Sequence, residues 1–390
     1  MKILLWGIYS PWTMNFVEHF LIKSDYEIWT FNRGNQDEYK KYINFYKEKG
    51  VHLIEFPKLV SDVFDGKGRE NYFKVLYSRL LKIKTILKEG PFDLISMQFV
   101  DYMDIADAVI LKYLMKTKLV LSYWGSDLFR ETENRLSRMG RFVRHADYIT
   151  FDNWDLEIKF KKTYKWSDKI PSKTVLFGLP VLDIIADKRK NENEKDIRKK
   201  WRIPNGKTVI AVGYNGIPQQ QHKRVLQVIK KLDEKEKNRI VILLQMSYGG
   251  TKEYRRSVVS AARRTGCECI DIQRFLTDGE VAELRIVTDI YINAQTTDAF
   301  SGSVCENLFA GTVLVNAEWL RYKEFEKYDF QYLEFGEFGE IAGLIRRILE
   351  QKPDVSSNEK LVWGLRSWER CAPKWEKVYR RMYRQCRKQQ

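Results

Sequence analysis

Two carboxylates enclose a short glycine-containing loop in residues 296–315, TTDAFSGSVCENLFAGTVLV. Asp298 begins the loop, and Glu306 follows after seven intervening residues. Glycine lets a backbone approach a ligand closely, and the unpaired N–H groups at the start of a helix attract anions. The loop residues that would supply these groups are Phe300, Ser301, Gly302 and Ser303. The stretch therefore predicts an anion site flanked by two acids.

The same stretch also allows a purely structural interpretation. Ser303 and Glu306 have the spacing of a capping box, in which the glutamate side chain accepts a hydrogen bond from the serine N–H. Asp298 would then be an ordinary loop acid. The local sequence leaves both interpretations open.

A second candidate is SYWGSDLFR, residues 122–130, where a predicted strand runs into Gly125, Ser126 and Asp127. Glycine permits the turn, and a serine or an aspartate can cap the helix that follows. Asp127 would lie at the carboxyl end of the strand, where a functional carboxylate is also expected. Helix capping and a functional role both explain this acid.

A third candidate is GYNGIPQQQHKR, residues 213–224, a glycine-containing loop that follows a predicted strand and ends in basic residues. It matches neither the GxGxxG dinucleotide pattern nor the GK[ST] ending of a P-loop. A glycine loop beside cations suits a diphosphate, whereas the alternative is a set of basic residues on an exposed helical turn. The candidate residues are Gly213, Tyr214, Asn215, Gly216, His222, Lys223 and Arg224.

The sequence contains no recognisable metal-binding or nucleophile motif. Its four histidines form no local pair, and neither HExxH, DxD nor a GxSxG elbow occurs. The five cysteines lack regular spacing, and Cys267 and Cys269 have no second pair to complete a zinc site. We therefore expect no catalytic metal, no cofactor, and reduced thiols in a reducing compartment.

The net charge is strongly positive, because 68 Lys and Arg against 52 Asp and Glu give +16. Such a chain is attracted to polyanions or to anionic lipid. Basic stretches that also contain aromatic residues occur at 158–169, 188–201 and 379–388. They are interpreted either as solvated helix faces or as a membrane-surface contact. A nucleic-acid partner is not expected, because no recognition motif accompanies the charge.

The location is expected to be cytoplasmic, with or without peripheral attachment at the inner face of the membrane. No apolar run is long enough to span a bilayer. The N-terminal MKILLWGIYS has a short apolar run without a small-residue cleavage site, so it reads as a buried strand rather than a signal peptide.

Two series of alternating strands and helices position the three candidate stretches. Predicted strands lie at 2–8, 26–32, 52–57, 92–99, 118–124 and 148–152 in the first series, and at 208–216, 240–247, 267–272 and 289–294 in the second. Helical patterns lie between them, for example at 72–88 and 104–115. Short apolar strands that alternate with helices predict parallel sheets covered on both faces. Ligands bind such sheets outside the carboxyl ends of the strands.

Two domains are expected, because 390 residues exceed what one hydrophobic core usually serves. Residues 1–175 would form an N-terminal Rossmann-like domain and residues 208–360 a C-terminal one. Residues 176–207, which are charged and poor in apolar side chains, would form a linker plus a helix, and residues 361–390 a helical tail. The predicted fold class is α/β, with two doubly wound parallel sheets that face each other across a cleft.

In their order along the chain these features resemble the GT-B glycosyltransferases, most closely the retaining glycosyltransferase family 4 (glycosyl transferases group 1). The family's Glu-x7-Glu pattern appears as Asp298 and Glu306, and its HGSD-like segment appears as YWGSD, with Trp124 in place of histidine. Its VGR…KG segment appears as VGYNG…QQHK, so Tyr214 replaces the usual arginine and Lys223 is left as the cation. The tail SWERCAPKWEKVYRRM is similar to the family's closing helix, which crosses back onto the N-terminal domain.

The resemblance implies a glycosyltransferase that uses a nucleotide-diphosphate sugar, with UDP favoured, and no metal. Lys223, with Arg224 and the amides of residues 300–303, would stabilise the leaving diphosphate. Glu306 would bind the ribose and Asp298 the donor sugar. The base would be bordered by Gln273, Arg274, Phe275 and Leu276. The acceptor side would be formed by Asp127 and the loop Tyr9–Asn15.

The implied role is the synthesis of a bacterial surface polysaccharide or glycoconjugate. The acceptor would be a glycan or a polyprenyl-diphosphate-linked sugar at the inner face of the membrane. GYNG…H and QMSYGGTKEY are also similar to the inverting fucosaminyltransferases of enterobacterial common antigen assembly, which leaves the stereochemistry open. An inverting enzyme would need a general base, for which the candidates are Asp101, Asp104 and Glu18.

Two other functional classes stay open. A catalytically silent GT-B partner subunit that binds glycan or protein is suggested by the departures at Asp298, Trp124 and Tyr214. A sugar-nucleotide epimerase shares the architecture, but such enzymes usually need several acids and histidines around the sugar, and this chain has only four histidines.

Overall fold

Short apolar runs form the strands of a first parallel sheet in the computed structural model, which describes residues 1–388 except 8, 33–36, 65 and 70, and except the side chains of 37, 38 and 64. The strands are β1 (Lys2–Gly7), β2 (Glu27–Phe31), β3 (His52–Ile54), β4 (Leu94–Gln98), β5 (Lys118–Tyr123), β6 (Tyr148–Phe151) and β7 (Ser172–Thr174). Their order in the sheet is β3-β2-β1-β4-β5-β6-β7, and all neighbours are parallel. Position 8, the predicted end of the first strand, and positions 389–390 of the predicted tail lie outside the described residues.

A second parallel sheet follows in the chain. Its strands are β8 (Thr208–Val212), β9 (Ile240–Gln245), β10 (Glu268–Ile272), β11 (Ile290–Asn293), β12 (Val313–Ala317) and β13 (Leu333–Phe335). Their order is β10-β9-β8-β11-β12-β13, again with parallel neighbours. The prediction of two parallel α/β domains is confirmed, although the short edge strands β7 and β13 were not predicted.

Helices connect nearly all of these strands. In the first half of the chain they are α1 (Pro11–His19), α2 (Asp37–Glu48), α3 (Lys58–Phe64), α4 (Tyr72–Glu89), α5 (Ile105–Met115), α6 (Ser126–Phe129), α7 (Glu133–Val143) and α8 (Trp154–Thr163). In the second half they are α9 (Pro180–Asn191), α10 (Glu194–Lys200), α11 (His222–Ile229), α12 (Glu234–Lys237), α13 (Lys252–Arg263), α14 (Asp278–Val287), α15 (Gly302–Phe309), α16 (Lys323–Lys327), α17 (Glu340–Glu350), α18 (Ser357–Arg366) and α19 (Trp368–Arg387). Among the described residues, no helix is both long enough and apolar enough to cross a bilayer.

Each sheet is buried on both faces. Every residue of β4, β5, β9 and β12 is buried, as expected when helices cover both sides of a parallel sheet. The carboxyl ends of the strands are therefore the places where loops and polar side chains gather.

The chain divides into two compact units. The first contains residues 1–178 and 371–390, and the second contains residues 179–370. Residues 176–207, predicted as a linker with one helix, instead form α9 and α10, which pack against α14 within the second unit. Glu283 of α14 accepts hydrogen bonds from Lys188 at 3.0 Å and from Trp201 Nε1 at 2.9 Å. The charged composition predicted a linker with one helix, whereas Lys188 and Trp201 of this segment bond to Glu283 of the second unit.

The C-terminal helix α19 contributes to the core of the first unit from Cys371 onward. Trp375 donates a hydrogen bond to the Leu176 carbonyl at 3.1 Å and packs against Phe16 at a ring distance of 4.8 Å. Tyr379 is fully buried and hydrogen-bonded to Ser96 of β4. Trp375 and Tyr379 are therefore core residues of the first unit.

Candidate functional site

The strand order of the second sheet reverses direction between β8 and β11. The chain leaves β8 toward β9 on one side and leaves β11 toward β12 on the other. Open parallel sheets bind ligands at such a switch point. The β8–α11 loop (residues 213–221) and the β11–α15 loop (residues 294–301) border it, and Thr296 N donates to Gln219 O at 2.9 Å between them.

Gly213 allows the β8–α11 loop to pass close to two polar side chains. Its φ is +66°, and a Cβ there would lie 2.8 Å from Gln220 Oε1 and 3.0 Å from His222 Nε2. Both of these atoms are buried and have no hydrogen-bond partner among the described residues. A buried polar atom without a partner is unusual in a folded protein and often has a ligand or water.

His222 is a neutral group at the end of this loop. Burial lowers the pKa of its imidazole to about 4, and its Nδ1 lies 3.2 Å from the Tyr254 hydroxyl. It can therefore exchange hydrogen bonds with a ligand near neutral pH, but it does not supply a positive charge there.

Glycines also hold the β8–α11 loop against the β9–α13 loop (residues 246–251). Gly216 N donates to Tyr248 O at 2.7 Å, and a Cβ on Gly250 would lie only 1.8 Å from the Gly216 carbonyl oxygen. Asn215 is buried in the same loop and accepts from Ile217 N at 3.1 Å. This backbone contact fixes Tyr248 beside the switch point, which the sequence did not predict.

Asp298 is held by a chain of hydrogen bonds. Its carboxylate accepts from the Tyr322 hydroxyl at 2.6 Å and from Ser301 N at 3.3 Å. Tyr322 in turn accepts from Asn293 Nδ2 at 2.9 Å, at the carboxyl end of β11. Asp298 is therefore a positioned acid, and Tyr322 is a partner that no local sequence signal indicated.

Phe300 anchors the loop just before α15. Its φ is +54°, a left-handed conformation that costs energy for a non-glycine residue. The side chain is 1% exposed and packs against Tyr322 and Phe330 at ring distances of 5.4 and 6.1 Å. Packing therefore keeps the backbone of this loop in a strained shape.

The first turn of α15 is not capped by a side chain. Its N-cap is Ser301, which makes no side-chain cap bond, and the hydroxyl of Ser301 is buried without a partner among the described residues. The capping-box interpretation is wrong, because Ser303 lies inside the helix and Glu306 bonds elsewhere. The amides of Gly302 and Ser303 belong to this uncapped first turn.

Glu306 forms a buried ion pair that the sequence did not indicate. Its Oε2 accepts from Arg285 Nε at 3.1 Å, and Arg285 Nη1 donates to Gln245 Oε1 at 2.9 Å. The side chains of Arg285 and Glu306 are only 4% and 11% exposed. Within the described residues Oε1 of Glu306 makes no hydrogen bond, so one carboxylate oxygen stays available to a hydroxyl.

Several tyrosines surround Asp298. Burial, followed by the negative charge of Asp298, raises the pKa of Tyr214, Tyr291 and Tyr322. Their hydroxyls therefore stay protonated. The Tyr291 hydroxyl lies next to the side chain of Ser303. Tyr214, which stands where the resembling family has arginine, adds a neutral donor rather than a cation.

The two predicted cations of the β8–α11 region differ in their surroundings. Lys223 is exposed, with Nζ 5.4 Å from the Tyr254 ring centre. Arg224 stacks on Phe338 at 3.8 Å and donates to Gln221 at 2.7 Å. Arg224 is thus held by protein groups. The exposure of Lys223 agrees both with a cation that binds a diphosphate and with a basic residue on an exposed helical turn.

The predicted base-bordering residues lie in the β10–α14 loop (residues 273–277). Gln273 bonds Asp271 at 3.0 Å, and Arg274 forms a bidentate pair with Glu280 at 2.9 and 2.5 Å. Phe275 is 75% exposed, and its ring lies nearly parallel to that of Tyr248, at 14° and 6.4 Å between centres. Leu276 is partly buried. The pair Tyr248 and Phe275 offers flat apolar surface, whereas Arg274 is engaged in its own ion pair.

Asp127 of the first unit is fully engaged by backbone amides. It is 1% exposed and accepts from Val100 N at 3.0 Å, Trp124 N at 3.0 Å and Gly125 N at 2.8 Å. Burial raises the pKa of its carboxyl to about 6. It fixes the loop after β5 and is not the N-cap of α6, which is Gly125. The role of Asp127 as an acceptor-side catalytic carboxylate stays a prediction.

The other acceptor-side candidates also have protein partners. Tyr9 donates to the Phe31 carbonyl at 2.6 Å. The predicted loop Tyr9–Asn15 is wrong from Pro11 onward, because α1 begins there with Ser10 as its N-cap. Of the alternative general bases, Asp104 pairs with a buried lysine at 2.9 Å and Glu18 with Lys49 at 2.7 Å. Asp101 accepts from Met103 N at 2.8 Å. The described residues contain no group of three or more His, Cys, Asp or Glu side chains placed to hold a metal ion.

No protein-family model matches the chain, and no curated protein matches it in sequence. Solved structures match it over almost its whole length. A glycosyltransferase from Rickettsia africae ESF-5 gives a TM-score of 0.75 at 10% identity and covers 98% of both chains. Anabaena Alr3699/HepE in complex with UDP gives 0.72 at 12%, covering 97% of this chain and 99% of the other. Sucrose-phosphate synthase from Thermosynechococcus elongatus gives 0.72 at 13%, covering 98% and 99%.

The chain has the GT-B fold. In GT-B terms the first unit is the N-terminal domain, and the second unit is the C-terminal domain. The described switch point therefore lies in the C-terminal GT-B domain. At 10–13% identity the likeness establishes the architecture, and the membership in family 4 stays a prediction.

Proposed function

We propose that this GT-B protein is a glycosyltransferase that takes a sugar from a nucleotide-diphosphate sugar, with UDP favoured. The observation that carries the proposal is the group of unpartnered buried polar atoms at the switch point of the second sheet. These atoms are Gln220 Oε1, His222 Nε2 and Ser301 Oγ. Such atoms cost free energy when they stay unpaired, and a bound nucleotide-sugar would supply their partners.

The diphosphate would lie at the uncapped start of α15. Breaking the anomeric C–O bond places charge on the departing diphosphate, and fixed donors must stabilise it. The amides of Gly302 and Ser303 and the ammonium of Lys223 would do so, and Gly213 lets the backbone come close. Because these donors belong to the chain itself, we propose transfer that needs no metal.

The nucleoside and the sugar would use the two acids. Oε1 of Glu306 would accept a ribose hydroxyl, while Arg285 holds the other oxygen. Asp298, fixed by Tyr322, would accept hydroxyls of the donor sugar. The base would stack on Phe275 beside Tyr248.

The proposed donor nucleotide is UDP, and the proposed stereochemistry is retention. Structures of Anabaena Alr3699/HepE contain UDP, UDP with glucose, or UDP-glucose, which supports a UDP-sugar as the donor class here. We propose retention, because the leaving diphosphate can then take the acceptor proton. The acidic candidates Asp104 and Glu18 are already paired with lysines, which supports a reaction without a dedicated base.

The acceptor is proposed to be a glycan or a polyprenyl-diphosphate-linked sugar of a bacterial surface polysaccharide or glycoconjugate. The support is the resemblance of the sequence motifs to enzymes of that class. Linkage analysis of the product by NMR would establish both the acceptor position and retention or inversion.

A thermal-shift screen with UDP-, GDP- and dTDP-sugars tests the donor site directly. A ligand at a hundredfold excess over its Kd stabilises the folded state by about 2.7 kcal/mol. We expect UDP-sugars to raise Tm most. The variants Glu306→Ala and Lys223→Ala should lose the shift and the donor hydrolysis, whereas Lys230→Ala, an exposed lysine at the end of α11, should keep both. Absence of any nucleotide-dependent shift in the parent protein would overturn the proposal.

A silent GT-B partner subunit is the second candidate. The buried Arg285–Glu306 pair favours it, because it occupies one oxygen of the acid that would bind the ribose. Nucleotide binding without hydrolysis or transfer, over a panel of donors and glycan acceptors, would favour this candidate over the enzyme. No observation favours the epimerase alternative, and the second unit contains a single histidine, His222.

A further inference from the structure

The exposed apolar side chains of the described residues are concentrated on one side of the first unit. Of the sixteen large apolar side chains that are exposed, ten lie on α4, on α5 or at the start of α5. Phe73 is 80% exposed and Tyr72 is 72% exposed. Soluble proteins rarely leave an apolar area of this kind uncovered without a binding partner.

The outer face of α4 has two halves of different character. Phe73, Tyr77 and Leu80 recur at the i, i+4, i+7 spacing that places side chains on one face of a helix. Lys84 and Lys88 continue the same face at the next turns and are exposed. The opposite face, with Ile83 and Ile86, is buried. The helix therefore presents an apolar half followed by a basic half.

Helix α5 lies beside α4 and extends the apolar half. Arg79 of α4 pairs with Asp107 of α5 at 2.6 Å, and Lys82 of α4 pairs with Asp104 at 2.9 Å. Ile110, Tyr113 and Leu114 of α5 are exposed at the i, i+3, i+4 spacing. These rows of exposed side chains on neighbouring helices, together with Lys84 and Lys88, form what we call the α4–α5 surface.

The charges of the α4–α5 surface favour an anionic partner. Lys84 and Lys88 have no ion pair within the described residues, while the buried Lys82 is engaged by Asp104. The sequence from Tyr72 to Glu89 contains one acid, Glu89. Aromatic and aliphatic side chains at headgroup depth with lysines at the lipid phosphates are the pattern of interfacial helices.

We propose that the α4–α5 surface docks the protein on an anionic membrane. The apolar half of α4 and the exposed row of α5 enter the interface, and Lys84 and Lys88 contact lipid phosphates. The membrane contact is thus assigned to a surface different from the three basic stretches that the sequence singled out. It does not depend on the glycosyltransferase proposal, because it needs no donor and no catalysis.

Vesicle sedimentation of the full chain tests the proposal. We expect binding to phosphatidylcholine vesicles that contain phosphatidylglycerol, weaker binding to phosphatidylcholine alone, and a decrease with salt. Phe73→Ser with Tyr77→Ser should reduce binding about tenfold or more, because the interfacial apolar area is lost. Lys84→Glu with Lys88→Glu should reduce binding to the anionic vesicles by a similar factor. Phe73→Leu with Tyr77→Leu should retain binding.

The matched control changes two lysines of a basic stretch from the sequence. Lys195→Glu with Lys199→Glu changes the net charge by the same amount as Lys84→Glu with Lys88→Glu, but on α10, where both lysines are exposed. This variant should bind vesicles within about twofold of the parent. Thermal unfolding shows whether each variant is folded, and light scattering shows whether it is monomeric. The proposal would be overturned if the parent did not bind vesicles, or if the α10 control variant lost as much binding as the variants of the α4–α5 surface. Conversion of a dimer to a monomer by Phe73→Ser with Tyr77→Ser would assign the surface to a second copy instead.

Discussion

His222 lies fully buried at the start of α11, with one ring nitrogen near Tyr254 and the other beside Gly213. Its low pKa follows from burial, which disfavours the charged imidazolium. Gln220, which like His222 lies beside Gly213, is also neutral, and its Oε1 has no partner among the described residues. The proposed donor site is therefore lined mainly by neutral hydrogen-bonding groups, and its positive charge comes from Lys223 and Arg285.

The titration of His222 should make the stability of the second unit depend on pH. The folded pKa is about 4 and the ordinary value is 6.5. The contribution of His222 to the free energy of unfolding is fully present above pH 6.5. It is lost as the pH falls toward 4, because the unfolded chain binds the proton at a higher pH than the folded chain does. The 2.5-unit difference corresponds to about 3 kcal/mol. Denaturant unfolding of the parent and of His222→Gln at pH 4 to 7 should show a greater loss of stability at low pH in the parent, and parallel curves would contradict the role of His222.

Loops between strands and helices give the second unit its candidate site. The β8–α11 and β9–α13 loops touch through backbone atoms at Gly216 and Gly250, and the β11–α15 loop is strained at Phe300. The ion pair of Arg285 on α14 with Glu306 on α15 ties two further elements together. These elements fix the positions of groups that are distant in sequence.

Replacement of Gly213 by alanine should damage both the fold of its loop and the binding of a donor. Gly213→Ala adds a Cβ at positive φ, 2.8 Å from Gln220 Oε1. Gly206→Ala is the matched control, since Gly206 has φ +79° with nothing within 4 Å. Both variants pay for the left-handed backbone, at about 1–2 kcal/mol. Gly213→Ala alone should also weaken UDP-sugar binding about tenfold or more in calorimetry, and equal binding by the two variants would contradict the site.

At the scale of the whole molecule, two units with separate cores share one chain. Residues 371–388 return to the first unit, where Trp375 and Tyr379 are fully buried. The proposed donor groups all belong to the second unit, and the α4–α5 surface belongs to the first. Donor binding and membrane docking are thus assigned to different units.

Calorimetry should separate the two units. Trp375→Ala removes a buried side chain of the first unit, and such truncations cost about 3–5 kcal/mol. We expect this variant to lower the Tm of one unfolding transition, whose Tm does not rise when UDP is added. Trp363→Ala removes a ring stacked on Phe309 in the second unit. This variant should lower the Tm of the other transition, whose Tm rises when UDP is added. If both variants lowered the same UDP-sensitive transition, the units would not unfold separately.

The sequence by itself determined the two parallel sheets, because short apolar strands alternating with helices have few other ways to bury both faces. It also placed the three candidate stretches at strand ends, and a helix at 72–88 is observed as Tyr72–Glu89. The edge strands β7 and β13 have only three residues each, which is too short for a period to be recognised. The charged composition of residues 176–207 predicted one helix where α9 and α10 are observed.

Only the tertiary structure decided the partners of the acids. Glu306 pairs with Arg285, Asp298 with Tyr322, and Asp127 with backbone amides of residues 100, 124 and 125. Local spacing allowed capping for Glu306 and Asp127, since a capping pattern involves neighbours along the chain. Arg285, Tyr322 and the amide of Val100 come from other parts of the chain. The parallel sheets bring those parts together through crossover connections, which no local sequence pattern shows.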